Sequence, residues 1–109
     1  MFARLIEFTP KLEKKDDFFT TLRMEVLPIL RKQNGFLEFI PFVPESKNEK
    51  IVCISLWAEK FHADKYVKDA FPKVEQIVKP FQAAPVNYRM FNVETPLCER
   101  LVEHLTAVA

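Results

Sequence analysis

Trp57, Tyr66, His62, Arg4, Arg89 and Cys53 are the residues of this chain whose types and spacing could act on a small polar aromatic molecule. The Trp57 indole offers one N–H donor and a broad flat face, and the Tyr66 hydroxyl can donate to a ligand oxygen. Each has a plainer reading as well: Trp57 as an anchor between core layers, Tyr66 as a half-buried helix residue with its hydroxyl in water. His62 can act as a base near neutral pH, yet no second histidine or acid stands at ligand spacing, so it also reads as a surface residue at a helix start. Arg4 and Arg89 lie in strand-like runs and, if those strands are neighbours, both can point at one place and stabilise a phenolate or carboxylate. Rim arginines paired with Glu7 or Glu94 are the alternative. Cys53 sits in an apolar run and reads as an inert thiol, and Ser55 has no histidine and acid in view to activate it. His104, between Glu99 and Glu103, reads as solvated.

The elements that must position these groups follow from periodicity. Phe2 to Phe8 alternates large apolar residues with Ala3, Arg4 and Glu7 and ends before Thr9-Pro10, which predicts a strand and a turn. Asp16 and Asp17 suit a helix start, and Phe18, Leu22, Val26 and Ile29 follow at helical spacing with Phe19, Leu27 and Leu30 beside them. Pro28 removes one backbone donor inside that stripe, predicting a kink and not a break. Gly35, the only glycine, reads as a helix stop, because it accepts the left-handed backbone just past a helix end. It also excludes a glycine-rich phosphate loop. Strands are predicted at Phe36 to Val43 and Lys50 to Trp57, joined by a hairpin loop over Pro44 to Glu49. In Ile51 to Trp57 both faces are largely apolar, as in a strand covered on both sides. A helix at Phe61 to Ala70 gives way to a second that starts near Pro72 and carries Val74, Ile77, Val78 and Phe81 on one stripe. Val86 to Glu94 reads as the last strand, and Thr95-Pro96 as the cap of a final helix with Leu97, Leu101 and Leu105 on one face.

Composition bounds the rest. The 109 residues fit one compact domain, and 16 Lys+Arg against 15 Asp+Glu leave a net charge of +1 with no basic stripe or acidic block. Nucleic acid is therefore not an expected partner. No apolar run is long enough to cross a bilayer, and no basic leader precedes an apolar stretch, so no membrane partner is expected either. Two cysteines without framework or metal spacing favour a reducing, cytoplasmic setting. Eleven phenylalanines are more than a small core hides alone, which points to a second copy of the chain as a partner.

Val26 to Phe36, Leu56-Trp57-Ala58-Glu59-Lys60, Tyr66 and the run Val86 to Val93 together resemble the antibiotic-biosynthesis monooxygenase-like family of ferredoxin-like, dimeric α+β barrel proteins. The resemblance implies an α+β fold of β-α-β-β-α-β order over residues 1–94, with the helix of residues 95–109 as an addition. It further implies a four-stranded antiparallel sheet with helices on one face and a partner subunit's sheet on the other. A dry compartment would then lie between the sheet and its own helices. In the actinorhodin-type members a tryptophan ends the third strand, as Trp57 does, while their asparagine four residues earlier is replaced here by Cys53. A later tyrosine of that pattern corresponds to Tyr66 with altered spacing. The heme-degrading branch uses an asparagine, a tryptophan and a histidine where this chain offers Glu7 or Ile6, Tyr66 and Gln76, and an amide is a poor iron ligand.

The expectation is thus a homodimeric, cofactor-independent monooxygenase acting on a quinol or aromatic polyketide-like small molecule, with no cofactor and no metal. Trp57, Tyr66 and His62 are its expected catalytic residues, and Arg4, Arg89 and Cys53 its substrate contacts. A non-catalytic dimeric ligand-binding or regulatory module is the alternative, and heme binding or degradation the third reading. Oxygen uptake, ligand-induced stabilisation without product, and a Soret shift separate the three.

Overall fold

The computed structural model describes residues 1–46 and 49–108; Lys47 and Asn48 of the expected hairpin loop, and Ala109, lie outside the described residues. Four strands, β1 (Phe2–Phe8), β2 (Phe36–Phe42), β3 (Ile51–Trp57) and β4 (Asn87–Asn92), form one sheet in the order β2-β3-β1-β4, every neighbouring pair antiparallel. With helices after β1 and β3, this is the expected ferredoxin-like arrangement of an α+β fold. β1 has the predicted limits, and the other three strands fall a residue or two inside theirs. Side chains alternate across the sheet. Phe2, Arg4, Ile6 and Phe8 of β1 face the helices, as do Ile51, Cys53, Ser55 and Trp57 of β3, whereas Ala3, Ile54 and Leu56 face outward. A bulge between Phe36 and Glu38 inserts one residue, so Phe36 and Phe39 both pack on the helix side despite their odd spacing.

The first crossover is α1 (Lys15–Thr21), a π-helical segment Leu22–Val26, and α2 (Leu27–Arg31). The kink predicted at Pro28 is realised as this wider turn just before it, in which the Leu27 N–H donates to the Leu22 carbonyl. The buried residues are Phe18, Leu22, Val26 and Leu30, four apart throughout, with Ile29 only half-buried. In a regular α-helix a four-residue step overshoots one turn by ~40°, so such a stripe would drift around the axis. The π segment takes up the drift and holds all four side chains toward the sheet. Gly35 then adopts φ +78°, and a Cβ there would collide with the His62 ring, so helix stop and close approach both require glycine.

The second crossover breaks as expected, at Ala70, between α3 (Lys60–Asp69) and α4 (Phe71–Val78). Ala63, Tyr66, Phe71 and Val74 bury the inner faces of these helices. A short 3-10 turn follows, and the Lys11 N–H donates to the Phe81 carbonyl and the Ala83 N–H to the Thr9 carbonyl, both at 2.8 Å, tying the two crossovers together.

The end of the chain departs from expectation. Thr95 and Pro96 form a 3-10 turn with Leu97, Cys98 leaves helical geometry, and α5 begins only at Glu99 and runs to Val108. Leu97 is consequently out of phase and exposed, and of the predicted leucine stripe only Leu105 is buried, at 2% exposure. It packs with Ala3 and Leu56 on the outer face of the sheet. Part of the second cover expected for β3 therefore comes from the chain's own last helix. Among the described residues no helix is long and apolar enough to cross a membrane.

Candidate ligand cavity

A cavity of about 450 Å³ lies between the helix-facing side of the sheet and the two crossovers. Its sheet wall carries Arg4, Ile6 and Phe8 of β1 with Cys53 and Ser55 of β3. The four buried side chains of the first crossover form a second wall, and Tyr66, Phe71 and Val74 a third. Glu75, Lys79 and Tyr88, all exposed, stand at the mouth. The volume suits a small molecule, and so does a lining that is apolar apart from a few convergent polar groups.

The most unusual member of the lining is Arg4, which is 3% exposed. Its guanidinium carbon lies 3.9 Å from the ring centroid of Phe71, 5.1 Å from that of Tyr88 and 5.8 Å from that of Tyr66. Ring faces attract a cation but do not accept its in-plane N–H groups. The Arg4 Nε is buried without a hydrogen-bond partner, and Arg4 joins neither of the ion pairs, Lys50–Glu7 and Lys60–Asp64, found among the described residues. Burial lowers its pKa, with Tyr66, Tyr88 and Glu75 acting in the opposite sense. A guanidinium starts so far above neutrality that it keeps its proton. Burial also pushes Tyr66 and Cys53 up to about 12 each, so both remain neutral at physiological pH. The Tyr88 hydroxyl, itself raised by burial, donates to Glu75 Oε2 at 3.4 Å.

No protein-family model matches the sequence, and no curated protein is similar to it. Solved structures do match. SnoaB, a cofactor-independent oxygenase from Streptomyces nogalater, superposes with a TM-score of 0.67 at 12% identity, over 85% of this chain and 92% of its own. An antibiotic biosynthesis monooxygenase matches with a TM-score of 0.69 at 17% identity, over 85% and 98%. A conserved protein from Methanosarcina mazei Go1 matches with a TM-score of 0.71 at 12% identity, over 86% and 94%. The chain shares the ferredoxin-like α+β fold of these structures. At such identities the likeness carries architecture and not a reaction.

Within this fold the residues singled out from sequence are only partly brought together. Arg4, Cys53 and Tyr66 line the cavity. Trp57 stands behind the wall at 0% exposure, its ring 5.0 Å from Tyr66 and edge-on to Phe36 at 5.5 Å. Its Nε1 donates to Ser55 Oγ at 3.0 Å, so the indole N–H is engaged within the protein and Ser55 is what faces the cavity. His62 is not on the lining; its ring packs on Gly35 and 4.1 Å from Phe61, with Nδ1 buried and unpartnered. Arg89 does not meet Arg4. The β1–β4 register sets Arg4 opposite Met90 and Leu5 opposite Arg89, so strand alternation turns Arg89 to the outer face, where it lies 5.0 Å from the Phe91 ring. Sequence reasoning missed Ser55, Phe71, Glu75 and Tyr88. For Ser55 and Tyr88 the signal was parity: Ser55 shares a face with Trp57, and Tyr88 sits one residue before an arginine that faces the wrong way.

Proposed function

We propose that this protein is a cofactor-independent monooxygenase that oxidises a quinol or an aromatic polyketide-like molecule held in the cavity beside Arg4. The observation that carries the reading is an apolar, helix-covered cavity whose wall holds an unpaired buried cation next to a neutral phenol donor. Such a site favours the ionised oxygen of a phenol or enol over its neutral form. For an anthrone-type substrate the ring carbon gives up a proton to water, which returns it to the peroxide anion formed later, and the resulting enolate passes one electron to dioxygen. Superoxide and substrate radical combine into a peroxide, which loses water to leave the quinone. The sum is anthrone plus dioxygen giving anthraquinone plus water, with no outside reductant. Arg4 and Tyr66 stabilise the enolate oxygen, and the Phe18 to Leu30 wall keeps water from the radical pair. Trp57 acts as a positioning residue through Ser55. Residues 1–94 form the catalytic unit of this reading and residues 95–109 an added helix. The active form is a homodimer joined through the outer sheet face, where Phe42 and Phe91 are exposed. The free thiols of Cys53 and Cys98 fit a reducing, cytoplasmic setting.

An oxygen electrode with a panel of anthrones and quinols tests the reading. Uptake equimolar with quinone formed is the expected result, with Tyr66→Phe and Arg4→Met each slowing turnover by about 10²-fold, the usual effect of deleting one oxyanion donor. Uptake no faster than the uncatalysed rate across the panel would reject it. A binding module without chemistry is the second reading, favoured by Cys53: a neutral, buried thiol stands where the resembled enzymes carry an amide. It predicts ligand-induced thermal stabilisation with no product.

A further inference from the structure

We propose that the cavity is a receptor for a monoanionic aromatic carboxylate, whose two oxygens engage the in-plane N–H groups of Arg4 while its ring system fills the apolar space beyond. The inference deepens the proposed function and rests on its assignment of the cavity as the ligand site, not on its oxygen chemistry. A buried guanidinium without a carboxylate partner is costly, and proteins seldom keep one unless something pairs with it. Here the protein supplies only half of what the group needs. Phe71, Tyr88 and Tyr66 satisfy its faces, and its Nε is left with no acceptor. A guanidinium packed against aromatic rings, with its Nε–H left without an acceptor, can meet a planar carboxylate in bidentate fashion through its in-plane N–H groups.

Charge and shape narrow the ligand. Besides Arg4, the only charged residues on the lining are Glu75 and Lys79, exposed at the mouth and of opposite sign. The interior thus offers one positive charge, which matches a monoanion and leaves a phosphate dianion under-neutralised. The remaining polar groups of the lining, Tyr66, Ser55, Cys53, Tyr88, Gln76 and Gln82, are neutral, and the rest of it is ring or aliphatic surface. A ligand with a flat apolar body and one charged end fits this division.

Binding of hydroxynaphthoate, its carboxamide and naphthol to the full-length protein, measured calorimetrically under argon so that no oxidation intervenes, tests the proposal. The carboxylate is expected to bind about tenfold or more tighter than the isosteric amide, the usual scale of one charge-assisted contact. Arg4→Met should erase that preference while leaving amide affinity within about threefold, and Arg4→Lys should keep part of it. Should Arg4→Met fail to fold, the wild-type protein still decides: acidifying through the ligand's own carboxyl pKa should remove the advantage. Of the titratable groups facing Arg4, Tyr66 on α3, Tyr88 on β4 and Cys53 on β3 stay neutral there, and repeating the titration in Glu75→Gln removes the remaining carboxyl from the comparison. Equal affinities for acid and amide, or a preference that persists in Arg4→Met, overturn the proposal. A charge preference without oxygen uptake rejects the oxygenase and keeps the receptor; uptake of oxygen on neutral quinols with no charge preference does the reverse.

Discussion

The two faces of the sheet carry opposite anomalies. On the helix-facing side Phe2, Arg4 and Phe8 of β1 and Ile51, Cys53, Ser55 and Trp57 of β3 are buried, and what stands out among them is polar: Arg4 without a partner and Ser55 held by Trp57, beside unfilled space. On the outer side what stands out is apolar: Phe42 at 50% and Phe91 at 40% exposure, with α5 covering only the end around Ala3 and Leu56. A buried charge is retained against its desolvation cost when a ligand needs it, and exposed aromatic surface when another surface covers it. In the proposed reading one sheet divides its work: the inner face would receive a molecule, and the outer face would make a contact that α5 only begins.

The largest effects should separate the two faces by stability. Trp57→Ala removes a fully buried ring together with the donor that fixes Ser55, and should cost about 3–5 kcal/mol in urea unfolding. Leu105→Ala empties a shallower contact beneath one short helix and should cost about 2 kcal/mol. Equal costs would break the comparison, because the outer face would then be as much a core as the inner.

The second prediction turns on sign. Replacing most buried side chains destabilises, but Arg4→Met removes an unpaired buried cation while keeping the length of the side chain that fills the space under Phe71. Unfolding should become harder, by about 1–3 kcal/mol, even as ligand affinity is lost. A loss of stability would mean that the cation–π stack with Phe71, Tyr88 and Tyr66 outweighs desolvation, and that Arg4 belongs to the architecture.

The inner face should also weaken at alkaline pH, over a window that its two raised acids define. Below pH 9.0 the Cys53 thiol is protonated in folded and unfolded chains alike, so it adds no pH dependence. Between pH 9.0 and about 12 the unfolded thiol ionises and the folded one does not, so stability falls as pH rises, and Tyr66 contributes likewise from 10.0 to about 12. Unfolding free energies from urea titrations at pH 8 and pH 10.5 should differ by about 3 kcal/mol in the wild type. Cys53→Ala should remove about two thirds of the difference; an unchanged slope would place the alkaline loss elsewhere.

How much of this was legible beforehand depended on the range of the interactions. The Phe2 to Phe8 strand, the Gly35 stop and the broken second crossover are local: alternation, a left-handed φ and an interrupted stripe are all written within a few residues. Three misjudgements came from one residue of phase. The π segment moved Ile29 off the buried stripe and Leu30 onto it, register parity turned Arg89 away from Arg4, and the exit of Cys98 from helical geometry put Leu97 out of line. Phase is set by packing against other elements, and a single period cannot report it. The cavity itself was foreseen as a compartment between sheet and helices, but its key contact was not, because only the folded chain brings Phe71 across to Arg4.

The smallest expected effect on stability carries the most information about the outer face. Phe42 and Phe91 are too exposed to hold the subunit together, so Phe42→Asn with Phe91→Asn should change the unfolding free energy of dilute protein by no more than about 0.5 kcal/mol. If these rings meet a second copy, the same pair should lower the mass seen by light scattering toward that of one 12.8 kDa chain over concentrations where the wild type is heavier. Helix α5 sets the control. Deleting residues 99–109 uncovers Ala3 and Leu56, enlarging the apolar outer face, and should strengthen self-association if two such faces meet directly. If deletion abolishes association instead, the helix is part of the joint, and the outer face works through α5 and not beside it.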